Sequence, residues 1–100
     1  MAAERLEIHP EALEEIKSAL LWYRDRSETA ASCFVEEVDG AIALIVQSPN
    51  RWPAGRSGTR KYVLRRFPFS VVYRIAEEAI QVLAVAHGHR RPGYWKNRMA

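Results

Sequence analysis

Cysteine is nearly absent from this chain: Cys33 stands alone, so no internal disulfide can form. That fits a reducing compartment rather than a secreted scaffold. Long apolar runs are missing too. The longer ones, such as Val82 to Ala86, fall far short of the ~20 residues of a spanning helix. The opening Met-Ala-Ala-Glu-Arg-Leu-Glu has no apolar core of the kind a secretory leader needs. The expectation is a cytoplasmic protein that makes no use of a membrane. Internal repeats and low-complexity segments are also absent.

Acidic residues are missing from much of the second half. Residues 51–100 contain two acids, Glu77 and Glu78, against eleven bases, a balance of +9. Residues 1–50 contain ten acids against four bases, a balance of −6, so the modest overall +3 hides a strong polarity. Such asymmetry points either to an anionic target or oppositely charged protein, or to a basic face paired internally with an acidic one. Apolar residues at 48% and charged residues at 27% exclude a disordered chain. One hundred residues suit one domain, 1–100, with a modest core.

Periodicity gives the element order. Leu6 to Ile8 reads as a short strand ended by His9-Pro10. Proline at a first helical turn and Glu11, Glu14 and Glu15 near its positive end open a helix. Leu13, Ile16, Leu20 and Tyr23 recur at three- and four-residue spacing to about Arg26. Ser27 reads as the cap of a second helix, with Glu28 in its first turn. Ala31, Phe34, Val35, Val38, Ile42 and Ile45 line its face to about Gln47. Residues 48–59, with two prolines, two glycines and Asn50, form a loop. Strand patterns follow: Tyr62 and Leu64 alternate with Val63 and Arg65, and Phe69, Val71, Tyr73 and Ile75 share one face. Glu77-Glu78 form a hairpin turn, and Ile80 to Ala86 is apolar enough for a central strand. The fold class is α+β, in the order β-α-α-β-β-β, with two antiparallel helices on a small antiparallel sheet.

Residues 60–75 (RKYVLRRFPFSVVYRI) and 82–95 (VLAVAHGHRRPGYW) resemble the strand–turn–strand–strand signature of the RelE/ParE toxin superfamily. There a Tyr-Arg pair, here Tyr73-Arg74, closes the third strand and a basic run follows the last one. The resemblance implies the toxin of a type II toxin–antitoxin system, neutralised by a cognate antitoxin in a hetero-oligomer and used in growth inhibition or plasmid stabilisation. It also implies one of two targets, DNA gyrase or mRNA on the ribosome. A third reading is a decayed toxin that only binds antitoxin.

Cleavage of RNA through its 2′-hydroxyl needs a base, an acid and cations around the phosphate. The resemblance places Lys61 at the first family lysine, Arg90 just beyond the last strand, and Tyr94 near the C-terminal tyrosine. Val63 and Ser70 stand where two further family cations are expected; Arg65 or Arg74 would have to substitute. His87 and His89 titrate near neutrality when unperturbed and fit acid–base work. The alternative for His87 is a strand-end histidine bonded to backbone. The catalytic candidates are therefore Lys61, Arg65, His87, His89, Arg90 and Tyr94. Guanidinium forks interleaved with aromatics favour phosphates or carboxylates and stacked bases, which makes Arg91, Trp95, Lys96 and Arg98 target-binding candidates. Arg51 and Arg56 in the loop, beside Trp52, join them. Trp22 and Arg74 are candidates for the antitoxin contact. His87-x-His89 lacks a third metal-ligating neighbour in sequence, so neither a metal nor a cofactor is expected.

Overall fold

The computed structural model describes residues 5–55 and 57–99. Its elements are β1 (Arg5–Ile8), α1 (Pro10–Arg26), α2 (Glu28–Gln47), β2 (Arg60–Val63), β3 (Phe69–Ile75) and β4 (Ala79–His87), then a 3-10 turn, Lys96–Met99. Pro10 occupies the start of α1, where its missing N–H costs nothing, and the His9 Nδ1 accepts the Glu11 N–H at 3.0 Å. Ser27 alone joins the two helices. Its N–H closes α1 on the Tyr23 carbonyl, and its hydroxyl caps α2 by accepting the Ala30 N–H at 3.1 Å.

The strands lie in the order β1-β4-β3-β2. β2, β3 and β4 form an antiparallel meander, whereas β1 joins the free edge of β4 in parallel. The sheet expected to be antiparallel is therefore mixed at this edge. The helical hairpin and the meander between β1 and β4 supply the long crossover that a parallel pair requires.

Both helices cover one face of the sheet. Phe34, Val38, Ala41 and Ile45 of α2 meet Leu64, Val71, Tyr73, Ile80 and Val82, and Ala12 and Ala19 bring α1 close. Of the face expected for α1, Ile16, Leu20 and Tyr23 pack against this core and Leu13 does not. Leu13 is 51% exposed while Ala12 is fully buried, because alanines let the helix backbone approach the sheet where leucine would hold it off. Tyr23, Phe34, Phe67 and Phe69 form an aromatic cluster with neighbouring centroids 5.0–5.5 Å apart.

Two polar devices pin the loops to this core. The Glu37 carboxylate of α2 accepts the Arg65 and Arg66 backbone N–H groups, fixing the β2–β3 turn. The Tyr73 hydroxyl donates to the Pro49 carbonyl at 2.6 Å, and Arg60 donates to the Trp52 carbonyl at 2.5 Å, tying down the loop after α2. Tyr73→Phe should cost about 1 kcal/mol, the net worth of one such bond, as a lower urea midpoint at unchanged m-value. No change at all would mean that the loop is held by Arg60 and packing alone.

β4 carries an irregularity that shapes everything after it. Tyr73 pairs with Val82 and Val72 with Ala84, so Leu83 has no partner on β3. This extra residue reverses the phase of the strand. β1 ends at Ile8, opposite Val82. Beyond that point the Leu83 carbonyl and Val85 N–H face the edge with no strand to receive them.

Candidate functional site

Side chains complete the edge that β1 leaves open. Glu15, on α1, accepts the Val85 N–H through Oε1 at 2.9 Å and the Tyr94 hydroxyl through Oε2 at 2.7 Å. Arg98 donates to the Leu83 carbonyl at 3.0 Å and to Glu15 through both terminal nitrogens, at 3.1 and 2.9 Å. It also lies 3.2 Å from the Glu11 carboxylate. Sequence reasoning missed Glu15. The signal was present, since Ala12, Glu15 and Ala19 are spaced as one helical stripe, which puts a carboxylate beside the buried alanines.

The tail reaches Glu15 by two tight reversals. The Arg90 N–H closes on the His87 carbonyl, and the Tyr94 N–H on the Arg91 carbonyl. Pro92 and Gly93 occupy the corner of the second turn, where Gly93 has φ +79°. A Cβ there would be strained and would lie 3.1 Å from the Lys96 side chain.

The resulting groove, about 730 Å³, runs between α1 and the end of β4. Ala19, Tyr23, Phe69 and Val85 give it an apolar floor, with Trp22 at the helix side and His87 and Arg90 opposite. Arg90 stacks on the Tyr94 ring with its guanidinium carbon 3.8 Å from the centroid. Burial, then the hydrogen bond and charge of Glu15, push Tyr94 from 10.0 up to about 12. Tyr94 is thus a protonated donor at neutral pH. Burial alone would lower Arg98, but Glu15 outweighs it and holds the guanidinium above its ordinary value. Because folding raises the Tyr94 value, its contribution is complete below pH 10 and lost as pH climbs through about 12. Stability should therefore fall across that interval in denaturant titrations, and Tyr94→Phe should flatten the fall; an unchanged slope would remove Tyr94 as its source.

The expected site residues divide. His87, His89, Arg90 and Tyr94 come together, the two imidazoles 5.0 Å apart. The His87 Nδ1 accepts the His89 N–H at 3.0 Å, which is the strand-end, backbone-bonded role. Lys61 pairs with Val72, whose neighbours Val71 and Tyr73 point into the helix-side core. Lys61 therefore lies on the far face, whereas His87 pairs with Phe69 on the helix side. Arg65 sits over α2, beside Glu36, Glu37 and Tyr62, away from the groove. Arg98, expected as a target-binding cation, is instead internal, its side chain 7% exposed. Arg74 donates to Gln81 at 2.7 Å and to the Met99 carbonyl at 3.0 Å, a framework role rather than an open antitoxin contact. Arg91 and Lys96 are exposed, Trp95 half-buried, and Arg51 leans on Trp52 at 5.2 Å. Arg56 lies outside the described residues. Trp22 is 53% exposed, with Arg26 stacked on it at 3.7 Å. Cys33 is half-buried on α2. No group of three metal-ligating side chains occurs among the described residues, and no helix there is long and apolar enough to cross a membrane.

The chain shares its fold with the chromosomal ParDE toxin–antitoxin system of P. aeruginosa, at a TM-score of 0.74 and 21% identity, covering 85% of this chain and 96% of that one. A mutant of E. coli toxin RelE, solved with an antitoxin RelBc peptide, superposes at a TM-score of 0.59 and 19% identity, over 96% and 95% of the two chains. Residues 6–92 match the family described as the ParE toxin of the type II toxin–antitoxin system parDE, and the chain belongs to that family. It is also 32% identical over 89 residues to Toxin ParE2 of Mycobacterium tuberculosis strains CDC 1551 and H37Rv, covering 88% of this chain and 85% of the relative.

Proposed function

We propose that this ParE-family toxin arrests growth by binding DNA gyrase and inhibiting it, without cutting RNA, and that a cognate antitoxin holds it silent in a cytoplasmic hetero-oligomer. The observation that carries this reading is the dispersal of the cations a nuclease would need. Phosphodiester cleavage requires acid, base and cation around one phosphate, each within hydrogen-bond reach. Here Lys61 and His87 occupy opposite faces of the sheet, and Arg74 and Arg98 are spent on internal partners. Tyr94 is held as a neutral donor to Glu15. What remains is a surface suited to binding.

The antitoxin reading is supported by the α1 groove, where exposed Trp22 and the apolar floor offer anchorage for an amphipathic segment. His87, His89 and Arg90 do lie together, and this keeps ribosome-dependent cleavage as the competing reading. Brief induced expression in a bacterium separates the two. Growth arrest with intact mRNA ends by primer extension and an induced DNA-damage reporter is the expected result. Fresh cuts inside translated codons, lost in His89→Ala, would replace it with the nuclease; harmless expression would favour a decayed toxin.

A further inference from the structure

No Asp or Glu follows Glu78, and the turn after β4 gathers Arg90, Arg91 and Lys96 within seven positions of one another. Three backbone hydrogen bonds fold them together: Arg90 N–H to His87, Tyr94 N–H to Arg91, and Lys96 N–H to Gly93, at 3.0, 3.2 and 3.0 Å. All three cations are exposed, and none has a carboxylate within 4.0 Å among the described residues. Arg98, by contrast, faces inward and pairs with Glu11 and Glu15, while Glu14, on the same groove, pairs with Lys17. Positive charge on the turn is thus turned outward, and the acids beside it are partly offset by Arg98 and Lys17.

One of these cations is already oriented. Arg90 holds its guanidinium carbon 3.8 Å over the ring of Tyr94, whose hydroxyl is fixed by Glu15. A guanidinium stacked by its face keeps its N–H edge for a bidentate oxyanion, and its conformational freedom is largely lost before any ligand arrives. The aromatics of the turn are partly occupied. Arg90 covers Tyr94, Arg98 stands 5.1 Å from the same ring, and Trp95 is half-buried. Single strands are gripped by stacking bases on free aromatic faces, and here Arg90 and partial burial leave little of these rings free. Phosphates of a duplex need cations alone.

We propose that the turn carrying Arg90, Arg91 and Lys96 grips the phosphate backbone of duplex DNA, making DNA itself a partner of the toxin beside its protein target. A toxin that inhibits gyrase would then engage the enzyme together with the DNA it holds.

The test is anisotropy of a short labelled duplex, titrated with the whole protein over a range of salt. Each of Arg90→Ala, Arg91→Ala and Lys96→Ala should lower the slope of log affinity against log salt by about 1. The triple variant should bind roughly tenfold more weakly or worse at moderate salt. Lys17→Ala and Arg24→Ala remove the same charge from α1 and should change neither quantity. Equal weakening by the α1 variants would reduce the effect to net charge and overturn the proposal, as would tighter binding to a single strand of the same length. Thermal melts of all six variants verify folding, which exposed positions should preserve. Gyrase inhibition without turn-dependent duplex binding removes the DNA contact and leaves the gyrase reading standing. Turn-dependent duplex binding without gyrase inhibition supports the contact and removes gyrase.

Discussion

Glu15→Ala should destabilise the protein by about 3–5 kcal/mol, the cost of stranding one member of a buried charge pair. The Arg98 side chain is 7% exposed and that of Glu15 17%, so water cannot substitute fully for the lost carboxylate. Three donors lose a carboxylate together: the Tyr94 hydroxyl, the Val85 N–H and the Arg98 guanidinium, which keeps only the exposed Glu11 and the Leu83 carbonyl. The Val85 group is the most telling, since it is a strand edge with nothing else to bind. A domain of this size has about 5–15 kcal/mol in total, so the variant should sit near its unfolding threshold. Arg98→Met should cost less, because Glu15 keeps Tyr94 and Val85 as donors. The pair Glu15→Leu with Arg98→Met should recover much of the loss, since apolar residues replace buried pairs well. A denaturant midpoint for Glu15→Ala within the spread of surface substitutions would show that the tail is not clamped as described.

The second large effect is expected at Phe34. It is fully buried and touches Tyr23, Phe67 and Phe69, which come from α1, the β2–β3 turn and β3. Phe34→Ala should cost about 3–5 kcal/mol, with the cavity adding to the lost transfer energy. Because Tyr23 and Phe69 also floor the groove, relaxation into the cavity should deform that surface too. Antitoxin affinity should therefore fall more for Phe34→Ala than for Ile45→Ala, which removes a buried side chain outside the groove lining. Equal affinities for the two variants, measured calorimetrically, would separate the groove from the aromatic cluster.

Much of this arrangement was legible in the sequence, because local chemistry encoded it. Pro10, Ser27 and the alternation of Phe69, Val71, Tyr73 and Ile75 each follow from backbone or periodic rules, and the elements begin and end where those rules place them. The central position of β4 followed from its apolar run. Other features depend on contacts between distant segments. Leu13 looked like a core residue because leucine outranks alanine in hydrophobicity, yet closeness of approach decided the helix face. The parallel pairing of β1 and the extra residue at Leu83 depend on how edges meet, which periodicity does not report. The same edge gives Glu15 its role: a carboxylate on α1 looks solvated until a strand without a neighbour lies beneath it. Arg98 was read as one more exposed base for the corresponding reason, since its partner is 83 positions away.

The most direct measurement is DNA supercoiling by purified gyrase in the presence of this protein, with and without its antitoxin. The account predicts dose-dependent inhibition that the antitoxin relieves and that His89→Ala leaves intact. Undisturbed supercoiling across a wide dose range, with mRNA cut in a translating extract, would contradict it.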